Sequence, residues 1–377
     1  MEFKSKPFRI ISYVLMILVL AFLLQPSGGT WTWLHDVRWF YVLILSFILA
    51  YVITPIAIKA AWRLKLLDMP NERKIHSVPI PRVGGIAIVL AVIVATARNF
   101  QFSSELTGLV IGSSIIYLIG LIDDIKPLSA SLRLAAQVIA CVIVIKSGVV
   151  LNTLPLGFPG GHIIEIILTA FWLIGIANAI NFLDGVDGLA TGMVAISALL
   201  FFMIAWPTRQ SYLAYLTIAL AGASLGFLPY NYKPARIFLG DAGATFMGFL
   251  LAGLAVMGSW AYNNPMVAIS TPLLILGIPI FDMIYTTISR VKNGSVRNVK
   301  EWLEYAGKDH FHHRLMKLGF SEKKTVIFIW GLNLCLGLGS LVIRDSGVKG
   351  SILLLVQSVI IFLMIVVLML SGREIKV

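Results

Sequence analysis

Charge is scarce in this chain: Asp, Glu, Lys and Arg make up 13% of the 377 residues, against 58% hydrophobic, and the mean hydropathy is +0.91. That balance excludes an ordinary soluble domain and places the chain in lipid. Cysteine is scarcer still. Cys141 and Cys335 both fall inside apolar runs, so a disulfide framework and a thiolate metal site are excluded. The Gly-x-x-x-x-Gly-Lys-Ser/Thr and Gly-x-Gly-x-x-Gly nucleotide loops are absent. No low-complexity tract, fixed-period repeat or linker marks off a soluble part, so residues 1–377 read as a single membrane domain.

What the chain has is apolar length. A spanning helix needs roughly 20 mainly apolar residues, and about twelve such stretches occur, near 9–24, 39–62, 83–98, 105–122, 131–148, 163–181, 188–206, 211–228, 243–260, 267–289, 325–343 and 351–371. The expected fold is an all-α, polytopic membrane protein of about 11 to 12 transmembrane helices. It has an extra N-terminal helix at 9–24, a catalytic core at 39–324 and two C-terminal spans at 325–371. The first stretch, basic at Lys4, Lys6 and Arg9, resembles a signal peptide, but Gln25-Pro26-Ser27-Gly28-Gly29 offers no Ala-x-Ala-like cleavage site, so it reads as a retained helix.

The net charge of +12 fits the positive-inside rule better than nucleic-acid binding. With the N-terminus inside, only Arg38, Arg98, Lys146, Arg209, Arg344 and Lys349 of the 30 Lys and Arg lie outside. The inner connections then hold most of the acids and four of the six histidines, which places the active site at the cytoplasmic face. Asn298 to Lys308, with Val299, Trp302, Leu303 and Tyr305 among charges, fits a short interfacial amphipathic helix or a solvated loop helix.

Asp123 and Asp124 close the fourth stretch. Adjacent carboxylates at the edge of hydrocarbon need a cation, a Lys or water, or simply end a helix among headgroups. In Asn178-Ala-Ile-Asn181-Phe-Leu-Asp184-Gly-Val-Asp187-Gly-Leu189 the polar residues recur at every third position, which predicts one slowly drifting helical face. Carboxylate and amide oxygens suit Mg²⁺, with Mn²⁺ able to substitute, although an Asp-Gly repeat is also an ordinary turn. Asp241, in Gly240-Asp241-Ala-Gly243, is a third candidate ligand and equally a candidate N-cap. His310, His312, His313 and Arg314 form a cationic cluster suited to phosphate. The competing readings are a zinc site, which the spacing and the lack of a nearby Cys disfavour, and a solvated basic loop. Acids for a divalent ion and cationic donors on one face suggest phosphoryl or phosphosugar transfer.

These residues resemble a known family, the polyprenyl-phosphate N-acetylhexosamine-1-phosphate transferases of glycosyltransferase family 4. The resemblance runs from about Leu66 to Phe320 through Arg73-Lys-x-His76, Pro81-Arg-x-Gly-Gly85, Asp123-Asp124, Asn178 to Leu189, Phe238-x-Gly-Asp-Ala-Gly243 and His310-x-His-His313, in the family's order. It implies that a polyprenyl phosphate, undecaprenyl in bacteria, attacks the sugar-linked phosphate of a UDP-HexNAc, giving a polyprenyl-diphospho-sugar and UMP, by direct displacement or through a phospho-enzyme. It also implies that Asp184, Asp187, Asp241 and Asn181 lie around Mg²⁺ and that Asp123 or Asp124 prepares the lipid phosphate. Arg73, Lys74, His76, Lys126, Asn178, Asn181 and the histidine cluster with Arg314 then bind substrate. The implied setting is the bacterial cytoplasmic (inner) membrane, with the lipid bilayer as partner and a homodimer left open.

The interrupted run His310-Phe311-His312-His313, followed by Arg314, resembles the branch that uses UDP-GlcNAc to prime envelope glycans. The muramyl-pentapeptide branch carries three consecutive histidines and is the alternative. From other classes, a secondary transporter would set its acids near the bilayer midplane, where Asp282 is the deepest candidate. A scaffold subunit would not need acids and histidines on one face.

Overall fold

The protein is described by a computed structural model covering residues 6–24, 37–70, 78–99, 103–154, 158–261, 264–298 and 309–374, with 301, 305 and 307. Backbone polar groups have no water to bond in hydrocarbon, so apolar runs must close their hydrogen bonds within helices. In chain order the helices are α1 (Lys6–Leu23), α2 (Arg38–Leu64), α3 (Gly85–Asn99), α4 (Ser104–Ile125), α5 (Ala130–Lys146), α6 (Gly161–Leu183), α7 (Leu189–Ala205) and α8 (Ser211–Asn231). There follow α9 (Gly240–Met257), α10 (Pro265–Ile275), α11 (Gly277–Lys292), α12 (Phe311–Lys317) and α13 (Glu322–Glu374). The starts are chemically marked. Ser103 and Ser129 accept the N–H groups of Leu106 and Leu132, and Asn264 accepts that of Val267 with Pro265 as first helical residue.

Among the described residues, seven helices are long and apolar enough to cross a membrane, or eight if a bent pair counts as one span. The stretch expected at 267–289 forms this bent pair: α10 and α11 meet at 77°. Gly277 weakens the helix there, and Pro279, which has no N–H to give Ile275, suits only the first turn of a new one. The long α13 contains two apolar spans, Glu322–Ile343 and Val348–Met369. Fifteen residues of straight helix would separate Gly339 and Leu354 by about 22 Å. A methyl group at Gly339 would instead lie 3.6 Å from Leu354 Cδ2, so the second span folds back on the first.

Helix α9 lies at the centre, packed against α3, α4, α6, α7 and α8. Small residues allow this close approach. A Cβ on Gly85 would come within 2.5 Å of Gly243 Cα, and one on Gly120 within 2.6 Å of Ala242 Cα, so α3 and α4 both press on the start of α9. The fold is not wholly helical. β1 (Leu67–Asp68) pairs antiparallel with β2 (Ile80–Pro81) in the connection after α2. The chain leaving β2 is stitched to the approach to α9 by Phe238 N to Pro81 O (2.8 Å), Gly84 N to Phe238 O (2.9 Å) and Gly85 N to Leu239 O (2.8 Å). Arg82 sits inside that seam.

Candidate active site

The first N–H groups of a helix have no partner within it. At the start of α9 Asp124 supplies one: its carboxylate accepts from Asp241 N (3.2 Å) and Ala242 N (3.1 Å), and pairs with Arg82 Nε (3.2 Å). The side chain is 1% exposed and saturated by the protein. Asp241 therefore is not the N-cap that its position suggests. It lies in the first turn, its carboxylate on Arg82 Nη2 at 2.9 Å, and a neighbouring helix caps in its place. Gly240 makes this possible, with φ of +79° and no room for a Cβ, which would lie 2.5 Å from Arg82 O and 2.7 Å from Asp124 Oδ2. Burial works against the Arg82 charge, but Asp241 and Asp124 outweigh it and raise the guanidinium pKa above its usual range.

Asp123 points away from its neighbour. Its oxygens take Leu128 N (2.6 Å) and Arg133 Nη1 (3.1 Å), which ties down the α4–α5 turn. Between α4, α5, α6 and α9 runs a cleft of about 660 Å³ including its open mouth, with Asp123, Arg133, Asn178, Asn181 and Asp241 on its walls among Ile116, Ile119 and Phe182.

Asn178 and Asn181 share a face of α6, but the expected helical face does not continue through the acids. Helix α6 ends at Leu183, Asp184 occupies its C-cap, and Asp187 lies in the turn before α7. Gly188, at φ +79°, turns the chain where an L side chain would be strained. Asn178 is engaged, exchanging bonds with Gln137 (3.1 and 3.4 Å) and donating to Ile174 O. Asn181 Oδ1 is buried without a partner. Asp187 accepts Ala235 N (2.9 Å) and lies 3.9 Å from Lys233, which also pairs with Glu322. No hydrogen bond or ion pair reaches the Asp184 carboxylate from any described residue. Burial, then the charges of Asp241, Asp124 and Asp187 against the opposing Arg82, push its pKa well above the usual carboxylate range.

The histidines are not equivalent. His310 Nδ1 meets Asp282 Oδ2 at 2.8 Å and its Nε2 meets Arg290 Nη2 at 3.0 Å. Neither nitrogen of His312 has a partner, although the residue is only 1% exposed. Its ring lies over the acidic turn, since a Cβ on Gly185 would be 2.5 Å from His312 Nε2. Burial first, then His313 and His310, depress the His312 pKa well below the usual imidazole value. The His313 ring lies beside it, tilted by 48° with ring centroids 4.2 Å apart. Arg314 turns back onto α11, bonding Asp309 O (2.6 Å) and Ser289 Oγ (3.2 Å) over the Tyr285 ring.

Similarity to known proteins bears on the family of the chain. Residues 106–259 match the family model described as glycosyl transferase family 4. A Bacillus subtilis (strain 168) protein named "Probable undecaprenyl-phosphate N-acetylglucosaminyl 1-phosphate transferase" is 30% identical over 328 residues, 86% of this chain and 89% of its own. The chain belongs to glycosyl transferase family 4. A decaprenyl-phosphate N-acetylglucosaminephosphotransferase of Mycobacterium leprae (strain TN) is 30% identical over 81% of this chain and 84% of its own. An undecaprenyl-phosphate alpha-N-acetylglucosaminyl 1-phosphate transferase of Escherichia coli O157:H7 is 26% identical over 72% and 74%.

The stretch matching the family 4 model contains Asp123, Asp124, Asn178 to Asp187 and Asp241, while the histidine cluster reaches the site from outside it. Arg73, Lys74 and His76 lie outside the described residues, as does most of Asn298 to Lys308; Glu301 there accepts the Arg297 N–H. Lys126 is exposed at the end of α4. Arg82, Arg133 and Lys233 were missed as site residues. Arg82 stood inside a motif, Pro81-Arg-x-Gly-Gly85, but Arg133 and Lys233 carry no sequence signal, because only the fold sets them against Asp123 and Asp187.

The donor set fits a hard divalent cation in part. It supplies a partnerless carboxylate, an orphan amide oxygen and further acids nearby. Among the described residues no three His, Cys, Asp or Glu side chains close a shell alone. Mg²⁺ usually completes its shell with water and substrate phosphate, so an incomplete protein shell suits it.

Proposed function

We propose that this chain transfers GlcNAc-1-phosphate from UDP-GlcNAc to a polyprenyl phosphate, undecaprenyl in bacteria. An oxygen of the lipid phosphate attacks the sugar-linked phosphorus, the bond to UMP breaks, UMP leaves with its own phosphate, and polyprenyl-diphospho-GlcNAc remains. The carrying observation is the 184–188 turn, where a partnerless carboxylate, the Asn181 oxygen and the unpartnered His312 ring meet. The names of the relatives supply the substrate class.

Asp184, Asp187 and Asp241 with Asn181 would hold Mg²⁺, which when bound offsets the negative charge of the phosphate oxygens. His312, kept neutral by burial, donates to the diphosphate of the donor, with His313 beside it. The cleft between α4, α5, α6 and α9 admits the lipid phosphate, with Asp123 and Arg133 on its wall. The shorter apolar helices α1, α3 and α7, taken together with α5, would bring the one membrane domain to about 11 to 12 spans. The charge asymmetry supports acids that face the cytoplasm, in the proposed setting of the bacterial inner membrane. Against a transporter, the deepest acid, Asp282, is bonded to His310 and to the Phe311 N–H rather than open to a coupled ion.

Detergent-purified protein should release UMP from UDP-GlcNAc only when both polyprenyl phosphate and Mg²⁺ are present. Absence of UMP with both supplied, or equal release without the lipid, would overturn the assignment.

A further inference from the structure

By sequence, the first histidine of the cluster groups with the other two as a phosphate grip, and its bonding argues otherwise. An arginine guanidinium can only donate. Arg290 Nη2 at 3.0 Å therefore makes His310 Nε2 an acceptor, which leaves the ring proton on Nδ1, aimed at Asp282 Oδ2 at 2.8 Å. Both edges of the ring are spent inside the protein, and the ring sits against Phe182, tilted by 35° with centroids 5.3 Å apart. The other Asp282 oxygen takes the Phe311 N–H at 2.6 Å.

We propose that Asp282 and His310 are positioning residues: a strut from the angled helix α11 that fixes α12 and so sets His312 over the 184–188 turn, while His310 itself never touches substrate. Three further contacts make the strut stiff. Arg290, 2% exposed, grips Asp309 through Nε and Nη2, both at 2.8 Å, one residue before His310. Burial alone would raise the Asp309 pKa, but the Arg290 bonds bring it below the usual range and keep the carboxylate charged. Phe311, fully buried, stands edge-on to Phe281 at 5.7 Å, and Phe281 stacks on Phe362 of α13 at 4.4 Å. Beyond the 77° bend at Leu276, α11 meets the start of α12 through the two Asp282 bonds, so in this account the bend serves the placement of His312.

The inference rests on the proposed reaction, in which His312 faces the donor diphosphate, and the experiment separates the two. An asparagine places an N–H close to where histidine holds Nδ1. His310→Asn should keep the bond to Asp282 and retain turnover within about fivefold, whereas His312→Asn should lose on the order of a hundredfold. Asp282→Asn should lower kcat about tenfold or more with KM for UDP-GlcNAc unchanged, and adding His310→Asn to it should cost little further. A His310→Asn loss as deep as that of His312→Asn, or a raised KM with kcat kept, would overturn the strut. If wild-type protein releases no UMP, the reaction itself falls. The strut is then read from thermal unfolding of Asp282→Asn, His310→Leu and their double variant: a shift smaller than the sum of the singles supports it, and additive shifts overturn it.

Discussion

The end of α4 and the turn after α6 each present a close pair of carboxylates to the same side of the molecule, and their bonding is opposite. Asp123 and Asp124 are saturated by two backbone N–H groups of α9, one of the α4–α5 turn, Arg82 and Arg133. Asp187 is held by Ala235 and Lys233, but Asp184 has no partner among the described residues, and neither does the Asn181 oxygen behind it. A buried acceptor without a donor, as the Asn181 oxygen is, costs free energy that a saturated one does not. The first pair is therefore bonded into the packing of α4, α5 and α9, and the second is the pair to which the proposed function assigns a cation and phosphates.

Chelation should expose the contrast most strongly. Removing divalent cations should stop transfer by more than about a hundredfold, with Mg²⁺ restoring it, while the melting temperature stays nearly constant because Arg82 already serves Asp124. A large fall in melting temperature on chelation would mean that the α4 end also needs a metal. Conversely, Asp124→Ala should act first on stability. It strands two helix N–H groups and Arg82, a loss of about 2–3 kcal/mol, less than for a fully buried pair because Arg82 is 38% exposed. Thermal unfolding measures it, and an unchanged midpoint would show that the cap is dispensable.

Donor choice tests the loop that separates the two readings of the histidine run. Two mismatched polar contacts cost on the order of 2 to 6 kcal/mol, enough for more than tenfold discrimination. UDP-GlcNAc should be turned over, and UDP-MurNAc-pentapeptide little or not at all, in parallel assays with one lipid acceptor. Preference for the muramyl donor would remove the branch assignment and leave the reaction class.

The smallest effect concerns acid. The His312 pKa is depressed in the folded chain, so between that value and its unfolded value the unfolded state binds the extra proton. The stability that neutral His312 provides is present above the unfolded pKa and is lost as pH falls toward the folded one. Wild-type protein should lose more thermal stability than His312→Asn between about pH 7 and pH 5. Equal losses would show that the ring is not held neutral.

Much of this contrast was legible as residue type and order, and little of it as bonding. The apolar runs, Asp123-Asp124, the Asn178 to Asp187 series, Asp241 and the histidines all stand where a chain read for the first time would put a membrane-embedded phosphate site. Periodicity misplaced Asp184 and Asp187 on a helix because spacing alone does not register a chain turning at Gly188, where φ is +79°. Nor did it show the 77° break within 267–289, since Gly277 and Pro279 are tolerated in spans when neighbours satisfy the backbone. Which carboxylate is free was not legible at all. Arg82 reaches Asp124 across 42 positions of chain and Asp124 caps a helix 117 residues on, and such pairings exist only once the helices pack.

The most direct test of the central claim is incorporation of UDP-GlcNAc radiolabelled in the sugar into extractable lipid by Asp184→Asn and wild-type protein, at saturating Mg²⁺ and matched melting temperature. The substitution keeps the shape of the side chain and removes its charge. The account predicts that the variant, folded and as stable as wild type, forms no lipid-linked sugar above background. Near wild-type incorporation by the variant would contradict it and move the reaction away from the 184–188 turn.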